Sequence, residues 1–174
     1  MKTVLLLRHG KSSWDDPALA DFDRPLAKRG EKAAKAMGKV LAENGPRPDL
    51  VLCSKSLRTR ETWDLARRAF AEAPPVELRE DLYLASAAGI LRMLQRLPAS
   101  HSTVLVIGHN PGFEDLARRL AGPGSVPEAA ALLREKYPTG ALAVLEAGIG
   151  SWADLKPRGA RLRDFFRPRD LTGG

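Results

Sequence analysis

Apolar residues along the chain fall into short continuous runs that alternate with longer stretches of helical spacing. Residues 4–7 (Val-Leu-Leu-Leu) form a run without periodicity, the pattern of a buried strand. Residues 49–53 form a second run. Residues 103–107 (Thr-Val-Leu-Val-Ile) form the strongest, rich in the β-branched side chains that fit a pleated surface. Shorter signals predict strands over 76–78, over 141–146 and, at an edge, over 161–166. Between these runs lie the helices. Residues 26–43 place Ala33, Met37, Val40 and Leu41 at helical spacing and stop at Asn44-Gly45. Residues 57–71 predict a helix with Leu57, Leu65, Ala66 and Ala69 on its buried side and arginines elsewhere. Further helices are predicted over 87–97, 113–121 and 127–136, each closed by Pro, Gly or a polar break. Residues 11–25, rich in Asp, Ser and Pro, read as a loop or a poorly ordered segment, and Trp152 and Leu155 are expected to help cover the sheet.

Strands that alternate with helices argue for an α/β fold: a three-layer α/β/α sandwich around a mostly parallel central sheet. A chain of 174 residues without internal repeat, low-complexity segment or linker predicts one domain over 1–174.

Composition narrows the classes. The single cysteine, Cys53, excludes an internal disulfide, and its apolar surroundings predict a buried, inert thiol. The N-terminal apolar run meets Arg8 and His9 after four residues, too short for a signal sequence or a membrane span, so a cytoplasmic location and no membrane partner are expected. The net charge of +7 favours anionic partners. The basic residues are interspersed rather than interleaved with aromatics, so specific nucleic-acid binding is not expected. No exposed apolar stripe is evident, and a monomer is expected.

Two of the three histidines stand directly after the two clearest strands. Loops beyond the carboxyl ends of strands in an open parallel sheet form the ligand crevice. His9 and His109 are therefore predicted to converge, whereas His101, which precedes its strand, is expected at the opposite edge and at the surface. Arg8 beside His9 offers planar donors that match phosphate oxygens, and Gly10 gives the backbone room to approach a ligand. After the second strand, Ser54 or Ser56 can cap a helix whose first turn carries Arg58. The helix dipole disfavours an arginine there unless an anion is near. After the strand over 103–107, Asn110 suits an N-cap and Pro111 the first helical position, which would aim His109 into the crevice.

These residues carry a resemblance. Leu7-Arg8-His9-Gly10, Ser54-x-x-x-Arg58 with Glu61-Thr62, and Val106-Ile107-Gly108-His109-Asn110 resemble the three signatures of the histidine phosphatase superfamily. Arg8-His9-Gly10-Lys11-Ser12-Ser13-Trp14-Asp15-Asp16, Asp21-Phe22-Asp23-Arg24-Pro25-Leu26 and Tyr137-Pro138-Thr139-Gly140 resemble its SixA-type phosphohistidine phosphatase branch. The resemblance runs from residue 3 to about 147 and implies a phosphoglycerate mutase-like fold.

It also implies a mechanism. Neutral His9 attacks phosphorus and becomes a phosphohistidine, which water hydrolyses, while Arg8, Arg58 and His109 stabilise the phosphoryl oxygens. Lys11, Ser12 and Asn110 are candidate substrate contacts. Neither metal nor cofactor is needed, and the aspartates at 15, 16, 21 and 23 lack partners at metal-ligand spacing. Ala is common in the branch where Gly10 stands, a departure expected to be mild. Glu80 is a candidate general acid, although Glu80-Asp81-Leu82-Tyr83 more resembles a structural Glu-x-Leu-Tyr. A branch member without a dedicated acid would suit phosphohistidine, whose leaving nitrogen is basic enough to arrive protonated. The partner is then a phosphorylated protein. A small phosphorylated metabolite, turned over by a phosphatase or mutase, is one alternative, and a phosphate-dependent binding module without turnover is another.

Overall fold

The structure, a computed structural model, describes residues 1–172; the last two positions of the expected 1–174 domain lie outside the described residues. Six strands form one sheet in the order β3-β2-β4-β1-β5-β6: β1 Lys2–Arg8, β2 Leu50–Ser54, β3 Val76–Arg79, β4 Thr103–Gly108, β5 Leu142–Ala147 and β6 Arg161–Phe166. β3, β2, β4 and β1 run parallel. β5 is antiparallel to both β1 and β6; β3 and β6 are the two edge strands, β6 as expected. Among the described residues there are six α-helices: α1 Lys28–Glu43, α2 Leu57–Ala66, α3 Ala87–Gln95, α4 Gly112–Leu120, α5 Pro127–Glu135 and α6 Pro168–Thr172.

Alternation along the strands creates two cores. Leu5, Leu7, Val51, Cys53, Leu105 and Ile107 point to one face, where Met37, Val40 and Leu41 of α1 and Trp63 and Ala66 of α2 cover them. Val4, Leu6, Leu50, Leu52, Val104 and Val106 point to the other, under α3, α4 and α5. Trp152 and Leu155 close that second core, as the sequence suggests. The result is the expected three-layer sandwich. Strands buried on both faces explain why these runs read as continuously apolar rather than alternating.

The buried side of α2 differs from the apolar stripe expected. Arg58, Thr59, Thr62, Trp63 and Ala66 face inward, while Leu57 and Leu65 are half-buried and Ala69 is exposed. The polar members of that face are satisfied locally. Thr62 Oγ1 donates to the Arg58 carbonyl at 2.7 Å and accepts from Gly10 N at 3.1 Å. One hydroxyl thus ties α2 to the loop after β1.

That loop is ordered. Ser12 pairs with Leu26, Ser13 N donates to the Pro25 carbonyl, and a 3-10 turn spans Asp21–Asp23. Buried Arg24 gathers the segment: its guanidinium donates to the Ser13 carbonyl, Ser12 Oγ and Asp21, and stacks 3.2 Å from the centre of the Trp14 ring. Gly10 and Gly30 bring the loop against α1. A Cβ on Gly10 would stand 2.6 Å from the Gly30 oxygen, and one on Gly30 2.1 Å from the Lys11 oxygen. Gly10 is therefore needed for backbone-to-helix contact rather than for approach to a ligand, and alanine there is not the mild change expected.

Candidate active site

Register brings the three strand ends together. β2, β4 and β1 are adjacent and parallel; Arg8 pairs with Gly108, and Cys53 with Ile107, so Ser54 stands level with both. One step further, His9 and His109 emerge side by side, with ring centres 5.2 Å apart. Arg58, in the first turn of α2, reaches the same place: its Nε lies 3.4 Å from His9 Nε2. Arg8, His9, Arg58 and His109 line one cavity of about 290 Å³, together with Lys11, Ser12, Asn110, Arg24, Trp14, Leu84 and Thr139. His101 lies at the opposite sheet edge, as expected, 3.2 Å from Asp49.

The state of His9 follows from its partners. Its Nδ1 sits 2.7 Å from the Gly10 carbonyl, which can only accept. Nδ1 therefore carries the proton, and the Nε2 lone pair faces Arg58 and the cavity. Burial, together with the charges of Arg58, Arg8 and Arg24, pulls the His9 pKa from 6.5 down to about 4. Burial, His9 and Arg58 pull His109 down to about 3. Both rings are thus neutral near pH 7. His109 Nε2 lies 2.9 Å from Ser54 Oγ, while His109 Nδ1 is buried and has no hydrogen-bond partner among the described residues. Arg8 Nε shares that condition, although Arg8 Nη1 donates to the Tyr137 carbonyl at 2.8 Å.

Tyr137 is the platform beneath these groups. It is fully enclosed; its hydroxyl donates to the Leu6 carbonyl and accepts from Ala143 N, and its carbonyl also accepts from Asn110 Nδ2 at 3.1 Å. Gly140, at φ +78°, then donates its N–H to the Arg8 and His9 carbonyls.

Other expected residues take different places. Asn110 precedes α4 by one residue more than expected: Pro111 is the N-cap and Gly112 the first helical residue. Asn110 Oδ1 still accepts from Glu114 N at 3.1 Å, so the side chain caps from one position further out. Ser56 is the N-cap of α2, but its hydroxyl pairs with Thr59 Oγ1 at 2.6 Å instead of bonding a helix N–H. Glu80 does not line the cavity. It follows β3, the strand beyond β2, where its exposed carboxylate lies 3.8 Å from Lys55 Nζ. Cys53 is buried, and burial pushes its thiol up to about 12.

Sequence reasoning missed Arg24, Asp21 and Tyr83. Asp21 accepts from Arg58 Nη2 at 3.0 Å, from Arg24 Nη1 at 2.9 Å and from the Tyr83 hydroxyl. The Tyr83 hydroxyl and the two guanidiniums hold its carboxyl down to about 2, so Asp21 is ionised and fixes Arg58. The one available signal was an arginine set among aspartates in Asp21-Phe22-Asp23-Arg24, a pattern that predicts pairing without saying where it points.

Comparisons with known proteins identify the family. The profile of the histidine phosphatase superfamily (branch 1) matches residues 4–83. An uncharacterized protein of Mycobacterium tuberculosis is 39% identical over 164 residues, covering 94% of this chain and 100% of its own. A protein assigned as phosphohistidine phosphatase SixA from Nakamurella multipartitia has a similar structure, with TM-score 0.82, 33% identity and 96% of each chain covered. Its counterpart from Agrobacterium tumefaciens gives TM-score 0.80 at 30% identity, covering 96% of this chain and 98% of that one. The chain belongs to the histidine phosphatase superfamily, in its SixA-type branch, and has that family's phosphoglycerate mutase-like fold.

Proposed function

We propose that this chain hydrolyses phosphohistidine carried on a protein, with His9 as the nucleophile. Membership in the superfamily supports phosphatase activity. The observation that carries His9 as the nucleophile is its fixed tautomer: Nδ1–H is committed to the Gly10 carbonyl and the Nε2 lone pair faces the cavity. In the first step that lone pair forms the N–P bond as the P–N bond to the substrate imidazole breaks; the electron pair leaves with the ring, which departs neutral because its other nitrogen carries a proton. Water then attacks phosphorus, the Nε2–P bond breaks with its electron pair returning to His9, and the water's proton leaves with the inorganic phosphate. Arg8 and Arg58 supply fixed positive charge, and His109 Nδ1 supplies a donor in the tautomer whose Nε2 accepts from Ser54 Oγ, where the phosphoryl oxygens gain charge. Arg8 Nε and His109 Nδ1, buried without partners among the described residues, are suited to those oxygens. Lys11 and Ser12 border the same cavity and are candidate substrate contacts; Asn110 supports it through Tyr137.

Two features favour a labile N–P bond on a protein. Glu80 is paired away from the cavity and Asp21 is held ionised, so neither is poised to protonate an alcohol leaving group. The cavity mouth presents exposed apolar side chains, Trp14 at 70% and Leu84 at 56% exposure, the latter held at φ +54°. A rim of this kind suits a protein surface better than a hydrophilic metabolite.

The test compares an aryl phosphate, a small sugar phosphate and a histidine-phosphorylated protein as substrates, each with and without chelator. Chelator-resistant turnover that is fastest on the phosphohistidine protein and absent in His9→Ala supports the proposal. Preference for the sugar phosphate would make this a metabolite phosphatase. Binding of all three without phosphate release would make it a binding module.

A further inference from the structure

Beside the catalytic cavity lies a larger one of about 480 Å³, and the two share Lys11 and Thr139. Lys11, Arg29, Lys32, Arg167 and Arg169 surround it, and among the described residues no side-chain carboxylate lines it. Arg167 is committed to the wall, since Asp170 accepts from it at 2.8 and 3.1 Å and Glu135 lies 3.9 Å away. Lys11, Arg29 and Lys32 form no ion pair among the described residues and are exposed.

Their position is also unfavourable for the helix that carries two of them. α1 begins Lys28-Arg29, its first turn has Glu31 as its one acid, and its N-cap Ala27 gives no side-chain bond. Cations at a helix N-terminus oppose the dipole. A basic cluster that works against the dipole, around a concavity that opens beside the catalytic one, suits an anion.

The kind of anion follows from how the charges are mounted. The catalytic cavity holds phosphate-type donors in buried, directed positions. The larger cavity instead has long, exposed side chains over the apolar surfaces of Ala33, Pro138 and Pro168. That is a positive field on a partly apolar floor, suited to carboxylate side chains on a peptide rather than to a caged second phosphate. We infer that this cavity docks an acidic segment of the phosphorylated protein, next to its phosphorylated residue. The inference rests on the protein-substrate reading above.

The test is binding, independent of turnover. In the His9→Ala protein, affinity is measured for a hexaglutamate peptide, a Gly/Ser peptide of equal length and inorganic diphosphate. The acidic peptide is expected to bind best. Arg29→Glu/Lys32→Glu should weaken it about tenfold or more, whereas Lys35→Glu/Lys39→Glu, with the same charge change on α1 away from the cavity, should weaken it less than about threefold. Acids in the first turn suit the dipole, so the first pair should unfold at no lower temperature than its parent, separating lost docking from lost folding. Equal weakening by both pairs, no weakening by the first, or binding of diphosphate but not peptide would each overturn the docking site. Absence of phosphate release by the unsubstituted protein would instead overturn the phosphatase reading and leave the binding result standing.

Discussion

The two ends of β1, β2 and β4 are built on opposite rules. At the amino ends, polar groups are paired. Buried Lys2 donates to the Ala99 and His101 carbonyls, Trp152 Nε1 donates to the same His101 carbonyl, and Asp49 accepts from Ser102 N and Thr103 N at 2.8 and 3.1 Å. At the carboxyl ends, two imidazoles are buried and neutral, a guanidinium Nε and an imidazole Nδ1 lack partners among the described residues, and positive charge is concentrated around them. The same strands therefore carry an end that holds the sheet together and an end that keeps unfavourable groups in place. Buried unsatisfied donors are costly, and such departures from local consistency are where function resides.

The largest break in this contrast comes from removing the group that the carboxyl end is arranged around. His9→Ala should lower aryl phosphate turnover by about a thousandfold or more, as loss of a nucleophile does, while a cooperative unfolding transition persists. Turnover within tenfold of the parent would mean that His9 is not the attacking group.

A smaller effect is expected where the loop after β1 meets α1. Gly10→Ala sets a Cβ against the Gly30 backbone, which cannot rotate away as a side chain can. Overpacking of this type costs about 1–3 kcal/mol, and here the displaced segment carries His9. Urea denaturation should show the loss, and kcat should fall with it. An alanine variant with parental stability and kcat would show that the loop is not held by this contact.

Acid should separate the two ends without mutation. The folded-state pKa values of His9 and His109, about 4 and about 3, lie below the ordinary 6.5, so the unfolded chain binds more protons between those limits. The stability these neutral rings contribute is fully present above pH 6.5 and is lost as pH falls toward 4. At about 1.4 kcal/mol per pKa unit, the two depressions together amount to on the order of 8 kcal/mol, most of it lost by pH 4. Asp21, held down to about 2, acts in a lower window: its contribution is present above the ordinary 3.8 and is lost as pH falls through about 2. The urea midpoint should therefore drop from pH 7 to pH 4, and His9→Gln/His109→Gln should flatten that drop. An unflattened profile would assign the acid sensitivity to other groups.

At the amino end the prediction is reversed. Asp49→Ala strands two backbone N–H groups and should cost about 1–2 kcal/mol, at the low side because the carboxylate is partly exposed. Turnover per folded molecule should be unchanged. A fall in kcat without a fall in stability would show that the two ends are coupled through the strands.

How much of this could be read from the sequence depends on the range of the interaction. The strands and the convergence of His9, Arg58 and His109 were legible, because apolar runs and strand-end placement are local patterns and parallel pairing does the rest. The buried face of α2 was misread, since Thr59 and Thr62 look like surface residues until their hydroxyls find the Ser54 and Arg58 carbonyls. Arg24 and Asp21 were missed because their partners are spread across residues 12–83. Gly10 was assigned the wrong neighbour: the sequence shows that a close approach is needed, and only the fold shows that Gly30 is what approaches.

The smallest effect tests the limit of the functional end. Glu80 lies at the carboxyl edge of the sheet, yet one strand beyond the cavity, with an exposed carboxylate facing Lys55. Exposed pairs of this kind contribute about 0–1 kcal/mol, so Glu80→Gln should leave stability nearly unchanged. Were Glu80 the general acid, its loss would cost about a hundredfold on a substrate with a poor alcohol leaving group and little on a phenol or an imidazole, which need no such help. The expected result is a change of less than about twofold on all three, because proximity to a sheet edge does not give a side chain the reach of the reacting atoms. A selective loss on the alkyl phosphate alone would move Glu80 into the site, and with it the preferred substrate from an N–P bond toward an ordinary phosphate ester.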